Sequence, residues 1–391
     1  MKKTAPALSG SPAFRFVLIM GIVNLFSDMT YEGGASINGP YLGALGASAA
    51  LISIIAGLGE FLGYSMRPVA GYFADKTGRY WTITFVGYAI NLLAVPIMAL
   101  AGTWQVAAAL IPAERVGRAI RKPTVEAMLS YTTAKHGKGW VYGVNTALDE
   151  TGAAIGPLVI ALVLFLKEKY QIAYALLAIS ALLALASLTI ARVGFPLPCR
   201  LEEGRTAPAI GFTSSYWLYM LAGAFFAAGL MSFELISYHL STAQIVATPW
   251  IPMFLAFSTG CGVVASLVMG RLYDRAELPV IIAAVFLSSL FAPFVFLGSF
   301  SFALVGMALW GIGYATQDTL LKALIAGVLP EGKRNLAFGL FYVGYGTGWL
   351  IGSIVTGLLY ERSRTSLVVF AVVAQLASMS IFILGQRLSR K

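Results

Sequence analysis

The sequence predicts an all-α membrane protein: twelve transmembrane helices in two pseudo-symmetric six-helix bundles. Three observations predict it. Of 391 residues, 58% are apolar or aromatic and 11% are charged, whereas a soluble domain carries about 25% charged residues. Apolar runs recur at the length a bilayer requires, about 20 residues. Basic residues gather in alternate connections between those runs, as they do on the cytoplasmic side of membrane proteins. The same figures exclude disorder. The +10 net charge needs no nucleic-acid module, and two cysteines, Cys199 and Cys261, build no disulfide framework or cysteine-rich metal site.

The spans fall near 14–38, 47–73, 81–102, 104–131, 139–165, 171–191, 215–239, 247–270, 278–297, 302–329, 335–359 and 365–385. Lys2 and Lys3 ahead of the first run resemble a signal peptide. The run continues through Asn24, Asp28 and Glu32 without a small-residue cleavage site, so it is read as a retained first helix. Only short turns, Ala101–Gly102 and Gly298–Ser299, divide spans 3 from 4 and 9 from 10. With the N-terminus inside, the cytoplasmic segments carry Lys2, Lys3, Arg15, Lys76, Arg79, Lys135, Lys138, Arg192, Arg200, Arg205, Arg271, Arg275, Lys333, Arg334, Arg387, Arg390 and Lys391. The other side carries Lys167, Lys169, Arg362 and Arg364. This asymmetry places both termini in the cytoplasm of an inner (plasma) membrane. The polar stretch 192–214, with Pro196, Pro198 and Gly204, reads as a linker between an N-terminal bundle, 1–191, and a C-terminal bundle, 215–391.

The halves repeat. A shift of 196 places Gly117, Ala119, Ala127, Gly143, Thr151, Gly152 and Gly156 on Gly313, Ala315, Ala323, Gly339, Thr347, Gly348 and Gly352. A shift of 199 places Gly71 and Asp75 on Gly270 and Asp274, and a weaker match at 202 places Glu32 on Glu234. Two parallel repeats imply a binding site between them, near the midplane.

The segment Gly71-Tyr-Phe-Ala-Asp75-Lys76-Thr-Gly78-Arg79 resembles the loop 2–3 signature of the major facilitator superfamily, with a degenerate copy at Gly270-Arg-Leu-Tyr-Asp274-Arg275. The resemblance implies alternating-access transport by two rocking bundles. In span 5, Gly143, Gly152, Gly156 and Pro157 resemble a signature of the drug/proton antiporter branch, although Ile160 and Ala161 stand where that pattern continues with two glycines. Plain helix packing at small residues is the alternative. Arg115 in span 4 matches the family's proton-coupling arginine. The string Glu114-Arg115-Val-Gly117-Arg118-Ala-Ile-Arg121-Lys122-Pro123 resembles bacterial exporters, including nickel-resistance types.

Charges inside spans must face protein or water, because each unpaired one costs at least about 2.5–3.5 kcal/mol in the bilayer. On span 1, Asn24, Asp28, Tyr31 and Glu32 share a face. A carboxylate there holds either a proton or a cationic substrate, which is the chemistry of antiport; the alternative is a bond across to another helix. On span 2, Glu60 and Arg67 stand two turns apart, too far to pair, so Glu60 needs another partner or a proton. In span 5, Asp149 lies on a stripe with Asn145, Gly152 and Gly156, and Arg115 or Arg118 is its expected partner. The 196 shift pairs Lys122 with Asp318 and Glu126 with Lys322, reversing both signs. These four are read as a cytoplasmic gate, with local helix pairs as the alternative. Glu234 and His239 are a thinner lead on span 7.

The functional expectation is a proton-coupled antiporter exporting a small cationic or amphiphilic molecule, with protons and the lipid bilayer as partners. Asp28, Glu32, Glu60, Arg115 and Asp149 are the proton-coupling and substrate residues. A proton-coupled importer of a small organic, possibly anionic, solute is the first alternative. A divalent-metal exporter using carboxylate oxygens is the second. No nucleophile–base motif or nucleotide loop points to an enzyme. No cofactor, resident metal or nucleic-acid partner is expected, and the protein reads as a monomer.

Overall fold

The computed structural model describes residues 12–130, 138–196, 213–273, 275–321, 324–325 and 334–389. Among them every regular element is helical. The first half comprises α1 (Pro12–Ala44), α2 (Ala49–Thr77), α3 (Tyr80–Ile97), α4 (Trp104–Ser130), α5 (Lys138–Lys167) and α6 (Tyr170–Gly194). The second comprises α7 (Ser214–Leu230), α8 (Phe233–Thr242), α9 (Ile251–Tyr273), α10 (Glu277–Ser289), α11 (Phe291–Leu297), α12 (Phe300–Ala315), α13 (Arg334–Arg362) and α14 (Arg364–Ser389). With α7–α8 and α10–α11 each forming one interrupted span, this order is consistent with twelve passes. Helices break at Ala101–Thr103 and at Gly298–Ser299, where the short turns were expected.

Among the described residues, nine stretches are long and apolar enough to cross a membrane. α4 is not one of them, because it carries Glu114, Arg115, Arg118, Arg121, Lys122 and Glu126. A helix so charged survives in a bilayer only inside a bundle that supplies partners. The lipid side is built by exposed apolar residues such as Leu162, Leu182, Ile190, Leu267 and Val373.

Local chemistry sets the helix ends. Ser48 caps α2 by accepting from the Leu51 amide at 3.4 Å. Gly78 ends it in the left-handed region, φ +64°, with its amide on the Ala74 carbonyl. The last glycine of the loop signature is therefore a helix C-cap, a position that favours a residue without Cβ. Span 7 is interrupted at Met231, whose φ of 59° is unusual for a side-chain-bearing residue. The Trp310 indole donates to both the Leu230 and Met231 carbonyls at 3.2 Å, supplying the partners the break would otherwise leave missing. Past α12 the chain continues through a wider π-type turn, Thr316–Leu321.

The internal repeat appears as repeated packing. Gly152 and Gly156 of α5 lie against the backbone of Leu25 and Met29 in α1. Gly348 and Gly352 of α13 lie against Ala224 and Ala228 in α7. Both pairs follow shifts of 196 and 199. Likewise Arg115 packs on Gly59 and Gly63, and its counterpart Gly311 packs on Ser258 and Gly262. The same shift sets Glu32 opposite Met231, so the packing gives the 202 match of Glu32 with Glu234 no support. Span 7 breaks at that point and leaves the helical register of span 1.

The end carrying Pro12 and Ser389 is called the termini end, and the opposite end the distal end. At the distal end the halves touch in three places. The Ala50 amide donates to Glu361 Oε1 at 3.1 Å, and Ser53 Oγ to the Ser353 carbonyl at 2.7 Å. Gly39 and Gly43 of α1 lie against Glu234, Ser237 and Tyr238 of α8. Phe165 meets Trp250 edge-on, 5.8 Å between centroids.

Small residues at the α1–α5 and α7–α13 crossings set the helix separation, and a larger side chain there must push two backbones apart. Gly156→Leu and Gly352→Leu are each expected to destabilise by about 1–3 kcal/mol. Gly102→Ala, with open space around it, is the control. Thermal melts of purified protein in detergent measure this; unchanged midpoints in both leucine variants would refute the packing role.

Candidate functional site

The charged residues of the first half gather at two levels along α4. At the level nearer the distal end, Arg115 Nε stands 3.1 Å from Glu60 Oε1 and 3.4 Å from Glu114 Oε2. Its N–H points along neither direction, so these are ion contacts rather than hydrogen bonds. Its Nη2 hydrogen bonds to Glu234 Oε1 of α8 at 3.3 Å. Arg118 lies 3.7 Å from both Glu60 and Glu114, with its guanidinium over the Tyr31 ring. Glu32 lies within electrostatic reach of Arg115, Asp28, Glu114 and Glu60, yet it has no ion pair within 4 Å among the described residues.

Six residues further along α4, about 9 Å by helical rise, is the second level. Arg121 Nη2 is 3.8 Å from Asp28 Oδ1, and its guanidinium lies over the Tyr88 ring at 4.5 Å. Tyr88 donates to Asn24 at 2.6 Å, Asn24 to Asn145 at 3.0 Å, and Asn145 to Asp149 at 3.5 Å. Lys122 lies within electrostatic reach of Asp28 and Asp149, inside its own half. Asn91 of α3 joins the levels. It donates to Glu114 Oε1 at 2.7 Å and accepts from Arg121 Nε at 3.2 Å.

The second half brings aromatic rings to the interface. Trp349 lies between Tyr314, which it meets edge-on, and Tyr345, tilted against it, each 5.9 Å between centroids. Tyr314 is within electrostatic reach of Glu60, Tyr64 and Glu234. The Trp349 indole nitrogen is buried without a hydrogen-bond partner among the described residues. Gln317, in the π-type turn, donates to the Tyr64 hydroxyl across the interface and accepts from Tyr345 at 2.9 Å. Tyr64 also stacks on Tyr342, 5.6 Å apart and 12° from parallel, with Arg67 over both rings.

The expectations meet this arrangement unevenly. Asp28, Glu60, Arg115 and Asp149 are joined in one network, and Glu32 lies within electrostatic reach of it. Glu60 does find partners other than Arg67. Asp149 does not pair with Arg115 or Arg118, because about two turns and about one turn of α4, respectively, separate them from its level; it belongs to the Arg121 level. Gly152 and Gly156 pack α5 on α1, the plain alternative, and Pro157 is buried beside them. Gly143 lies in α5, but its surroundings are outside the described residues, and so are the Asp75 side chain and Asp274. Gly71 approaches Pro123 and Arg79 is exposed. Of the expected gate, Glu126 is exposed; the Asp318 side chain and Lys322 are outside the described residues. Sequence reasoning missed Asn91, Tyr88 and Gln317. A lone asparagine in the otherwise apolar α3 was the available signal.

A helical bundle in two repeated halves, with ionised groups buried between them, defines a membrane transporter. A family model described as Major Facilitator Superfamily matches residues 209–390. Uncharacterized proteins of Mycobacterium tuberculosis and Mycobacterium bovis are 32% identical over 384 residues, 96% of this chain and 93% of theirs. An uncharacterized MFS-type transporter of Methanocaldococcus jannaschii is 25% identical over 365 residues, 89% of each chain. The second half thus matches the major facilitator superfamily, and the chain along most of its length is similar to a membrane transporter of that type. Among solved structures, the nucleoside transporter NupG matches with a TM-score of 0.77 at 13% identity, over 94% of this chain and 100% of that one. A POT family peptide transporter matches at 0.76 and 12%, over 96% and 95%. At these identities the likeness is one of fold.

Arg115 is shared by three carboxylates. Removing it leaves them buried without their common cation, so Arg115→Ala is expected to cost about 3–5 kcal/mol of stability. Adding Glu114→Gln returns part of the loss. A double-mutant cycle from melts checks this, and strictly additive effects would contradict the shared pairing.

Proposed function

We propose that this transporter is a proton-coupled antiporter that exports a small cationic or amphiphilic molecule by alternating access. The observation that carries the reading is a charge count. Among the described residues, Asp28, Glu32, Glu60, Glu114, Asp149 and Glu234 gather around Arg115, Arg118, Arg121 and Lys122. With every one of these six carboxyls ionised they would exceed these four bases by two, and uncompensated charge is costly at this depth. Protons or a cationic guest supply the missing charge, and the two compete for the same oxygens.

That competition gives antiport. The cation enters where protons are scarce and is displaced where they are abundant. With protons concentrated outside the cell, this is export. Glu32 is the acid best placed to exchange ligands, since among the described residues it has no ion pair to break. Asp28 and Asp149, at the Arg121 level, tune the same network through Asn91. The aromatic series Tyr314–Trp349–Tyr345 offers an apolar, polarisable face for the rest of an amphiphilic cation. The basic excess in the connections on the termini side supports cytoplasmic termini, and Lys122, Glu126, Asp318 and Lys322 stay candidates for closure on that side.

The test is reconstitution in liposomes with an internal pH dye, an acid-outside gradient, and pools of organic cations, organic anions and divalent metals. A cation pool is expected to trigger proton flux. Glu32→Gln is expected to cut it by about a hundredfold, within the range seen when a positioned acid–base group is lost. Arg67→Ala in the same assay is expected to retain flux within about tenfold, because it removes no carboxyl from the cluster. Flux triggered by anions alone would reject cation export and shift the site to Arg115–Lys122.

A further inference from the structure

Most ion pairs in the network join helices of the same half. Arg115 with Glu60 and Glu114, Arg118 with the same two acids, and Arg121 with Asp28 all lie within α1–α4. If the halves rock as rigid bodies, those distances stay fixed. Arg115–Glu234 is different. It is the one ion pair among the described residues that crosses between halves, so its length must change as the halves move.

The element that carries Glu234 is also set apart. α8 begins after the break at Met231–Ser232, and Glu234 lies in its first turn. Ser232 occupies the N-cap position without making a side-chain cap, and its buried hydroxyl has no hydrogen-bond partner among the described residues. The outer face of this short helix lies on α1, where Gly39 meets the Glu234 carbonyl and the Ser237 hydroxyl too closely for any Cβ. One turn on, Gly43 meets the Tyr238 ring. α8 therefore forms part of the distal closure, and the Glu234 side chain ties its inner end to the charged site.

We infer that the Arg115–Glu234 ion pair is the latch that reports the charge state of the central site to the distal closure. The inference rests on alternating access and is independent of which ion drives transport. While Glu234 is ionised and unoccupied, it is drawn to Arg115 and holds α8 on α1. A proton or cationic guest that takes up the Glu234 charge frees α8 to move with the second half. Arg115 loses little in that step, because Glu60 and Glu114 remain beside it. The charged and titratable groups around Glu234 are Arg115 and Glu114 from α4, Glu60 from α2, Tyr174 from α6 and Tyr314 from α12. Of these, Arg115 is the cation that holds it. Glu234 is thus a positioning residue for transport, whatever the cargo.

The experiment measures distance across the distal end. Spin labels are placed at Lys169→Cys and Ala247→Cys, exposed positions in opposite halves, in full-length protein lacking Cys199 and Cys261. Pulsed dipolar spectroscopy is run on liposome-reconstituted samples without substrate. Glu234→Gln is expected to raise the ratio of long-distance to short-distance populations by about tenfold, as the loss of one charge-assisted hydrogen bond allows. Glu234→Asp, which keeps the charge but shortens the reach, gives a smaller rise. Thr84→Val, which removes a buried hydrogen bond to Thr124 inside the first half and lies outside the charged cluster, leaves the ratio unchanged. Equal shifts in Thr84→Val and Glu234→Gln would mean general loosening and overturn the latch, as would no shift in Glu234→Gln with an unchanged melting midpoint. Proton flux on the same liposomes separates the two readings: its absence in the unsubstituted protein rejects proton antiport and leaves the distance result to decide the latch.

Discussion

Everything in this molecule turns on the difficulty of keeping ionised groups where water is scarce. α4 is too charged to cross a bilayer alone. It is held by α1, α2 and α3, which supply Asp28, Glu60 and Asn91 to its arginines. The guanidinium groups suit this role, being planar, permanently charged and able to bond in several directions while lying on Tyr31 and Tyr88. Packing and electrostatics are thus one problem. Gly59 and Gly63 of α2 bring that helix close enough for Arg115 to be shared.

The two halves solve different parts of it. They repeat each other in backbone packing, with glycines at matching crossings of α1 on α5 and α7 on α13. They do not repeat each other in chemistry. Where the first half has Arg115, the second has Gly311, and where the first half collects acids and arginines, the second presents tyrosine and tryptophan. A duplicated scaffold has been divided into a charged wall and an aromatic wall. An amphiphilic cation is the kind of guest that uses both, and Glu234 is the carboxylate by which the aromatic half reaches the arginines of the charged one.

Two backbone irregularities shape the second half's contribution to this interface. The break at Met231–Ser232 and the π-type turn at Thr316–Leu321 each place a polar side chain, Glu234 and Gln317, against the first half. Irregular backbone is tolerated at membrane depth where protein supplies the missing partners, and Trp310 does so at the first break. An unbroken α-helix would aim these residues differently.

The sequence by itself determined the class. Hydropathy and length determined a helical membrane protein, basic asymmetry its expected orientation, and constant offsets its duplication, because each reads out along one dimension. The same logic located the acids and bases that had to be buried. Which of them meet was decided by the tertiary structure. Adjacency of spans 4 and 5 suggested Asp149 with Arg115 or Arg118, but the depth at which α5 crosses α4 sends Asp149 to the Arg121 level. No periodicity marks Asn91, whose role depends on α3 lying beside α4. Nor does any spacing pair Arg115 with Glu234, 119 residues away, since that contact exists only where two halves close on each other around an interrupted helix.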